Sequence, residues 1–388
     1  MTGHASGGDP GRPLRIFIAH PSALLTDHLP HGDGLIAWGF ITGLAARGHE
    51  VHVAAQAVDL ERAPSSQIHL HEVAPGAAGP LGRLRFMAAM RRCFERLQRQ
   101  ARFDIIHQLN PVDVGVSLAL ADAPAPMVLG PYWPDFSTDQ WDGPGPAAAQ
   151  FKRVLRSAQQ RRSTVTLLST PAAAVKLAAR RGSSIVREVW PGIDTSEWAP
   201  GPALSANRDV LFVAGLHPYK GITILVDAFA QLGLDGARLV IAGSGPEEKA
   251  IRRRIGGSPG VPGVELTGEL SRAAVKAAMQ ACAVYCLPSY GEPFGMSALE
   301  AMACAKPIVG TDAGGLRHLF TAEGGRHVPV GNVSALADAL REILTDRAAQ
   351  RAMGAHNRQR VQQLYAWPRV IDRLESAYRE AIAADGRA

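Results

Sequence analysis

Residues 284 to 315, VYCLPSYGEPFGMSALEAMACAKPIVGTDAGG, constrain this chain more than any other stretch. The apolar run Val284 to Leu287 has the length of a buried strand, and Pro288, Ser289 and Gly291 end it. Glu292, Pro293, Phe294 and Gly295 follow, and the pattern predicts a helix from near Met296 with Glu300 one turn in. A second apolar strand, Pro307 to Gly310, leads into the tight loop Thr311 to Gly315. A strand, loop, helix and strand in this order belong to an α/β sheet. The first N–H groups of a helix have no partner inside it and carry the positive end of its dipole. Amides from about Gly295 to Ala298 are therefore suited to a phosphate or diphosphate. Carboxylates at Glu292 and Glu300 would repel a phosphate but suit hydroxyl groups on either side of one. An isolated Glu pair at this spacing is more often solvated and merely caps its helix.

Composition sets the frame around that unit. A chain of 388 residues implies two domains of ordinary size, and 46% hydrophobic with 20% charged residues implies globular ones. No apolar run reaches the ~18 residues of a membrane span. The opening residues 1–12 lack a basic-then-apolar signal pattern and read as a flexible tail. Cys93, Cys282, Cys286 and Cys304 have neither zinc-like nor redox spacing, which reads as reduced thiols of a cytoplasmic protein. The net charge of +6 is modest, but residues 81–102 crowd seven arginines against an apolar side of Leu81, Leu84, Met87, Phe94 and Leu97. Two readings stay open: a core-packed helix with a solvated face, or peripheral contact with an anionic membrane at its inner face. No recognition motif for nucleic acid accompanies the charge.

The first half alternates strands and helices. Leu14 to Ala19 and Val51 to Ala55 are apolar strands around a predicted helix, Leu35 to Ala46. The loop between holds His20, His28, His31, Gly32, Asp33 and Gly34. Phe103 to His107 is a further strand, with His107 at its C-terminal end, the edge where open α/β sheets hold ligands. A strand from Val128 leads into a loop with Tyr132, Trp133, Phe136 and Trp141. Aromatic faces stack on sugar C–H surfaces, so Tyr132, Trp133 and Trp141 are candidate acceptor contacts; the alternative is a loop packed on its own rings. Residues 150–162 and 171–181 read as helices. The stretch 199–206, rich in Pro, Gly, Ser and Ala, reads as a linker.

A new sheet starts at Asp209 to Ala214. Lys220 and Gly221 follow in the loop GLHPYKG, then a helix from about Ile222 to Leu232. Gly243, Ser244, Gly245 and Pro246 form a loop that lacks the third glycine of a dinucleotide fingerprint. Helices near Val333 to Leu344 and 348–363 precede the closing segment YAWPRVIDRLESAYREA.

Pro288, Ser289, Glu292, Phe294, Gly295, Glu300, Ala301, Met302, Ala303, Pro307, Gly314 and Gly315 together resemble the donor-site motif of the retaining glycosyltransferases of family 4. The ending Arg47-Gly48-His49-Glu50-Val51, the turn at Gly243, and Lys220-Gly221 resemble the same family, and the likeness covers nearly the whole chain. It implies the GT-B fold: two doubly wound parallel-sheet, Rossmann-like domains facing an interdomain cleft. Residues 13–198 would bind the acceptor, 207–365 the nucleotide sugar, and 366–388 would form a helix crossing back. The implied activity is transfer of a sugar from a UDP- or GDP-linked donor to a glycan, lipid or small-molecule hydroxyl, with retention. A non-catalytic nucleotide-sugar binder of the same fold is the alternative. Glu292, Lys220 and His107 would be catalytic. Gly32, Gly34, Lys220, Gly243, Leu270, Glu292, Phe294, Gly295, Met296, Ser297 and Glu300 would bind the donor. No cofactor or metal is expected, since no Asp-x-Asp triplet occurs. The chain departs from the family pattern at Gly215, in place of an arginine, at Leu109, in place of a second histidine for which His107 and Asn110 are the alternatives, and at Ala305, in place of glycine.

Overall fold

The computed structural model describes residues 11–29, 32–76, 79–109, 114–134, 145–178, 184–201, 207–257 and 260–386. The described elements of the first half are, in order, β1 (Arg15–His20), β2 (Leu25–Thr26), α1 (Gly32–Ala46), β3 (Glu50–Ala55), β4 (Val58–Asp59), β5 (Ile68–Glu72), α2 (Gly79–Gln100), β6 (Ile105–Leu109), β7 (Met127–Tyr132), α3 (Pro146–Arg162), β8 (Val165–Leu168) and β9 (Ile185–Glu188). The second half continues with β10 (Arg208–Val213), α4 (Ile222–Ala230), β11 (Ala237–Ala242), α5 (Glu248–Gly256), β12 (Val264–Gly268), α6 (Arg272–Ala281), β13 (Val284–Leu287), α7 (Met296–Ala303), β14 (Ile308–Thr311), α8 (Leu316–Leu319), β15 (Gly325–Val328), α9 (Val333–Thr345), α10 (Arg347–Leu364) and α11 (Trp367–Asp385). Backbone contacts divide the described residues into two compact units. Unit 1 holds 11–133, 145–192 and 367–386; unit 2 holds Pro134 and 193–366.

Unit 1 is built on a parallel sheet in the order β5-β3-β1-β6-β7-β8-β9. A parallel sheet is covered on both faces, which explains why its central strands are apolar nearly throughout. One face packs Phe17, Ile106, Leu129 and Leu168 against Phe86, Met90, Phe94 and Leu97 of α2. Apolar positions Leu81 and Leu84 do not join that face. They are 73% and 59% exposed, because the buried stripe begins only at Gly82 and Phe86. The predicted helix over 171–181 is a 3-10 turn, Pro171–Lys176, among the described residues.

The chain's last helix belongs to this first unit. A Cβ at Gly39 would fall 1.9 Å from the Trp367 ring, and one at Gly43 would fall 2.6 Å from Ile371. Only glycine at both positions lets α1 and α11 approach this closely. His107 is a second fastening. It is wholly buried, and its ring nitrogens are both engaged: Tyr378 donates its hydroxyl to Nδ1 at 2.6 Å, and Nε2–H donates to the Gly130 carbonyl at 2.9 Å. This corrects the expectation that His107 contacts substrate. The ring has no exposed surface, and its hydrogen bonds tie α11 to β6 and β7.

Unit 2 is a second parallel sheet, in the order β12-β11-β10-β13-β14-β15. It starts earlier than the Pro/Ser/Ala-rich stretch 199–206, of which 202–206 lie outside the described residues. The boundary falls after Gly192 because 193–198 is already folded into unit 2. Ile193 N donates to the Tyr365 carbonyl at 2.8 Å, Asp194 Oδ1 accepts from the Ser196 and Glu197 amides, and Trp198 is 1% exposed.

α7 ends on Ala305, which has a φ of +58°. The Ala305 amide donates to Met302 and the Lys306 amide to Ala301, both at 3.0 Å, so the left-handed residue closes a Schellman-type turn. Alanine is strained there where glycine is not. Ala305→Gly should stabilise unit 2 by about 1 kcal/mol, read as a higher urea midpoint with unchanged slope. Burial holds the His107 imidazole down to about 4. A histidine whose folded value lies below its free one, ~6.5, contributes stability that is complete above the free value and lost as pH falls toward 4. The shift corresponds to ~3 kcal/mol. Urea midpoints of the wild type should therefore fall between pH 6.5 and 4, and more steeply than those of His107→Gln. His52 and His71, lowered chiefly by burial, act in the same direction.

Candidate active site

In each sheet the strand order reverses once, between β1 and β6 in unit 1 and between β10 and β13 in unit 2. Such a reversal opens a crevice at the strands' carboxyl ends, where ligands of open α/β sheets bind. In unit 2 the two loops leaving β10 and β13 carry Lys220 and Glu292. Lys220 ends a short 3-10 turn, Pro218–Lys220. Gly221 follows at φ +69°, and a Cβ there would lie 2.1 Å from the Pro288 carbonyl oxygen. The Tyr290 amide donates to the Tyr219 carbonyl at 2.8 Å. With the loops fixed this closely, Lys220 Nζ reaches Glu292 Oε2 at 2.6 Å, with side chains 16% and 10% exposed. Two part-buried charges in this geometry neutralise each other, and removing one partner strands the other.

The Glu292 backbone is clamped by the loop after β14. Gly315 N donates to the Glu292 carbonyl at 2.6 Å, and Thr311 Oγ1 donates to the Ser289 carbonyl at 2.5 Å. A Cβ at Gly314 would lie 2.4 Å from the Glu292 oxygen, and one at Gly315 2.3 Å from that of Pro293. Gly295, at φ +96°, then turns the chain into α7, whose first helical bond is Leu299 N to Gly295 O at 2.9 Å. The amides of Met296, Ser297 and Ala298 precede that bond, and no acidic side chain lies in the first turn to offset the dipole. The Ser297 hydroxyl shares a 2.6 Å hydrogen bond with Tyr285, which donates to the Val213 carbonyl at 3.1 Å.

Glu300 lies one turn along α7. Burial raises its carboxyl to about 7, against the pull of Arg272. Arg272 itself is held by Glu197 through two hydrogen bonds, at 2.7 and 2.9 Å, and lies over the Trp198 ring at 5.1 Å. Tyr285, Thr311, Arg272 and Glu197 had no signal as site residues in the sequence. Only the single tyrosine hydroxyl within an otherwise apolar strand could have drawn attention.

The remaining expected residues divide by where the fold puts them. Gly243 lies at the end of β11 with φ +145°, and a Cβ would meet the Ala214 carbonyl oxygen at 2.0 Å. Leu270 follows β12, half-buried, on the same carboxyl edge. Gly32 starts α1 with open space around it, and Gly34 is buried two residues on. Phe294 corrects one expectation: its ring is 2% exposed and packs edge-on to Tyr365 at 5.8 Å, so it anchors the loop from below. Tyr132 corrects another. It is 3% exposed within the unit 1 core, so it offers no face for stacking. Trp133 is half-buried. Trp141, Phe136, Asn110 and His31 lie outside the described residues.

Among the described residues one group has the spacing of metal ligands: Glu50, His52 and His69, with ligand atoms within 4.8 Å of one another. It lies on β3 and β5 of unit 1. Its centre is already served by a cation, since Arg15 Nε donates to Glu50 at 2.9 Å and Arg15 Nη2 lies 3.2 Å from His52 Nε2. His52 Nδ1 lies 3.1 Å from His71 Nε2 with the two rings coplanar, the geometry of a hydrogen-bonded pair.

The carboxyl edge of unit 2 thus brings together a lysine, two carboxylates and a helix N-terminus. Comparison with known proteins gives the family. The family model "Glycosyl transferases group 1" matches residues 197–360, and "Glycosyltransferase Family 4" matches 35–197. A phosphatidyl-myo-inositol mannosyltransferase from Mycobacterium leprae is 29% identical over 359 residues, covering 88% of this chain and 91% of the relative. Sucrose-phosphate synthase from Thermosynechococcus elongatus superposes with a TM-score of 0.74 at 24% identity, over 95% of this chain and 100% of its own. Anabaena HepE, in a complex with UDP-glucose, superposes with a TM-score of 0.70 at 20% identity, over 94% and 98%. Two family models in tandem over two parallel-sheet units of the GT-B fold place this chain among the group 1 glycosyltransferases of family 4 type, and it is a glycosyltransferase.

Proposed function

We propose that the enzyme transfers a sugar from a UDP- or GDP-linked donor to an acceptor hydroxyl with retention at the anomeric carbon. The observation that carries this reading is the Lys220–Glu292 pair at the switch point of unit 2, beside the N-terminus of α7. A donor would divide the pair: its diphosphate takes Lys220 and the α7 amides, and a sugar hydroxyl takes Glu292. Glu300 then accepts from the ribose hydroxyls, and Leu270 packs near the base. As the bond from the anomeric carbon to the diphosphate oxygen breaks, negative charge grows on the leaving group, and Lys220 with the amides stabilises it there. The acceptor oxygen forms the new bond, and its proton leaves with the diphosphate. The UDP-glucose complex of HepE supports a nucleotide-sugar donor, and the mannosyltransferase name of the Mycobacterium leprae relative supports transfer of a sugar.

The same relative's name gives a lipid headgroup as acceptor. Exposed Leu81 and Leu84 interleave with Arg83 and Arg85 at the start of α2, a pattern suited to an anionic lipid surface. We therefore favour an acceptor presented on a lipid. Flotation with anionic vesicles should recover the enzyme, and Leu81→Glu with Leu84→Glu should abolish recovery; equal recovery on neutral vesicles would count against this reading.

Donor binding is tested by titrating UDP- and GDP-sugars. Losing a charge-assisted contact costs ~1.5–3 kcal/mol, so Lys220→Ala should weaken binding about 10- to 150-fold. Glu292→Gln should mainly lower kcat, and NMR of the product should show the donor's anomeric configuration. Because Glu300 changes charge near pH 7, the affinity ratio of wild type to Glu300→Gln should grow from pH 6 to pH 8. Wild-type binding and turnover in all three variants would overturn the assignment.

A further inference from the structure

We propose that His217 supplies a second positive contact to the donor diphosphate, from the space that a side chain at position 215 would otherwise fill. The inference rests on the donor-site reading above and deepens it.

The charge of the site leaves room for such a group. A diphosphate ester brings about two negative charges, and Lys220 is already balanced by Glu292 at 2.6 Å. The lysine–glutamate pair is neutral as a unit, so a group beyond Lys220 and the α7 amides would add to the positive charge that meets the diphosphate. His217 is placed to be it. It is exposed, it lies in the loop that leaves β10 at the switch point, and its carbonyl accepts from the Lys220 amide at 2.9 Å. Its ring leans over Gly215: a Cβ built there would meet His217 Cδ2 at 3.1 Å and Nε2 at 3.5 Å. A side chain at 215 would press on the present position of the His217 ring, which the absence of one leaves undisturbed. The ring is stacked on Tyr219 at 5.5 Å and 14°, and Lys220 Nζ lies 5.3 Å from that tyrosine's centroid. Imidazole and ammonium thus both lie against the same phenol ring.

The charged neighbours on the surrounding elements are few. Lys220 shares the turn, and Glu292 faces it from the β13 loop. Glu247 donates its amide to the Leu216 carbonyl, and Glu269, beyond β12, accepts from Ser244 Oγ at 2.5 Å. Histidine is the ordinary side chain whose charge changes between pH 5 and 8. A permanent cation at this place would bind diphosphate at any pH, whereas an imidazole binds it more tightly when protonated.

The test is calorimetric titration of the full chain with UDP, GDP, UMP and GMP at pH 6 and pH 8. Comparing variants at one pH cancels the titration of the ligand's own phosphate. His217→Gln should weaken the preferred diphosphate at least 5-fold at pH 6 and less than 2-fold at pH 8. It should leave the matching monophosphate within 2-fold. His217→Arg should restore diphosphate affinity at both pH values. If His217→Gln has no effect, or the same effect at both pH values, the proposal fails. If Lys220→Ala loses binding while His217→Gln does not, the donor site stands and only the role of His217 falls. If wild type binds neither diphosphate, both readings fall together.

Discussion

The carboxyl edge of the unit 2 sheet depends on how closely the loop after β14 approaches the backbone of residues 289 to 294. Side chains there could not hold Glu292 in place unless its peptide were fixed first. Gly315 N, the Thr311 hydroxyl and the absent side chains of Gly314 and Gly315 do that fixing. Gly221 allows the same closeness on the β10 side, against the Pro288 carbonyl. Lys220 and Glu292 then meet because two backbones were first brought together, and their ion pair reports that approach more than it creates it. The order of cause runs from glycine to peptide to carboxylate.

Unit 1 uses the same device for a different end. Gly39 and Gly43 lower α1 onto Trp367 and Ile371, and the His107–Tyr378 bond fastens α11 to the middle of the sheet. The unit is discontinuous in sequence, so its apolar surface around α1 stays uncovered until the chain's final segment arrives. Contacts of such high sequence separation are slow to form. A buried imidazole suits that closing step, since its bond to Gly130 holds the ring in place and its bond to Tyr378 forms only with the correct register of α11.

Much of this was legible in the residues. Apolar runs marked the strands, and the spacing from Pro288 to Gly315 marked the motif that the fold places at a switch point. What was not legible depends on direction and depth. His107 and Tyr132 occupy strand positions one would expect near a ligand, yet a strand alternates its side chains, and both point into the core. Phe294 sits inside the motif, but only its backbone belongs to the loop's surface. Leu81 and Leu84 share a helical period with Phe94 and Leu97, and periodicity cannot say how far along a helix its partner extends. The domain boundary followed hydrogen bonds around Asp194 and the burial of Trp198 in place of the Pro/Ser/Ala composition downstream.

The electrostatics of that carboxyl edge follow from these placements. Acidic residues usually settle in the first turn of a helix, where they offset its dipole. In α7 that turn holds Met296, Ser297 and Ala298, and the nearby carboxylate, Glu292, is tied to Lys220. The dipole is therefore left for a ligand. Glu300, farther along the same helix, is buried enough to rest near its midpoint at neutral pH, with Arg272 held off by its own partner Glu197. Positive character at this site thus comes mainly from backbone amides and from charges that change partners. A leaving diphosphate, which gains charge only as the bond breaks, is the kind of group such an arrangement stabilises more in the transition state than in the ground state.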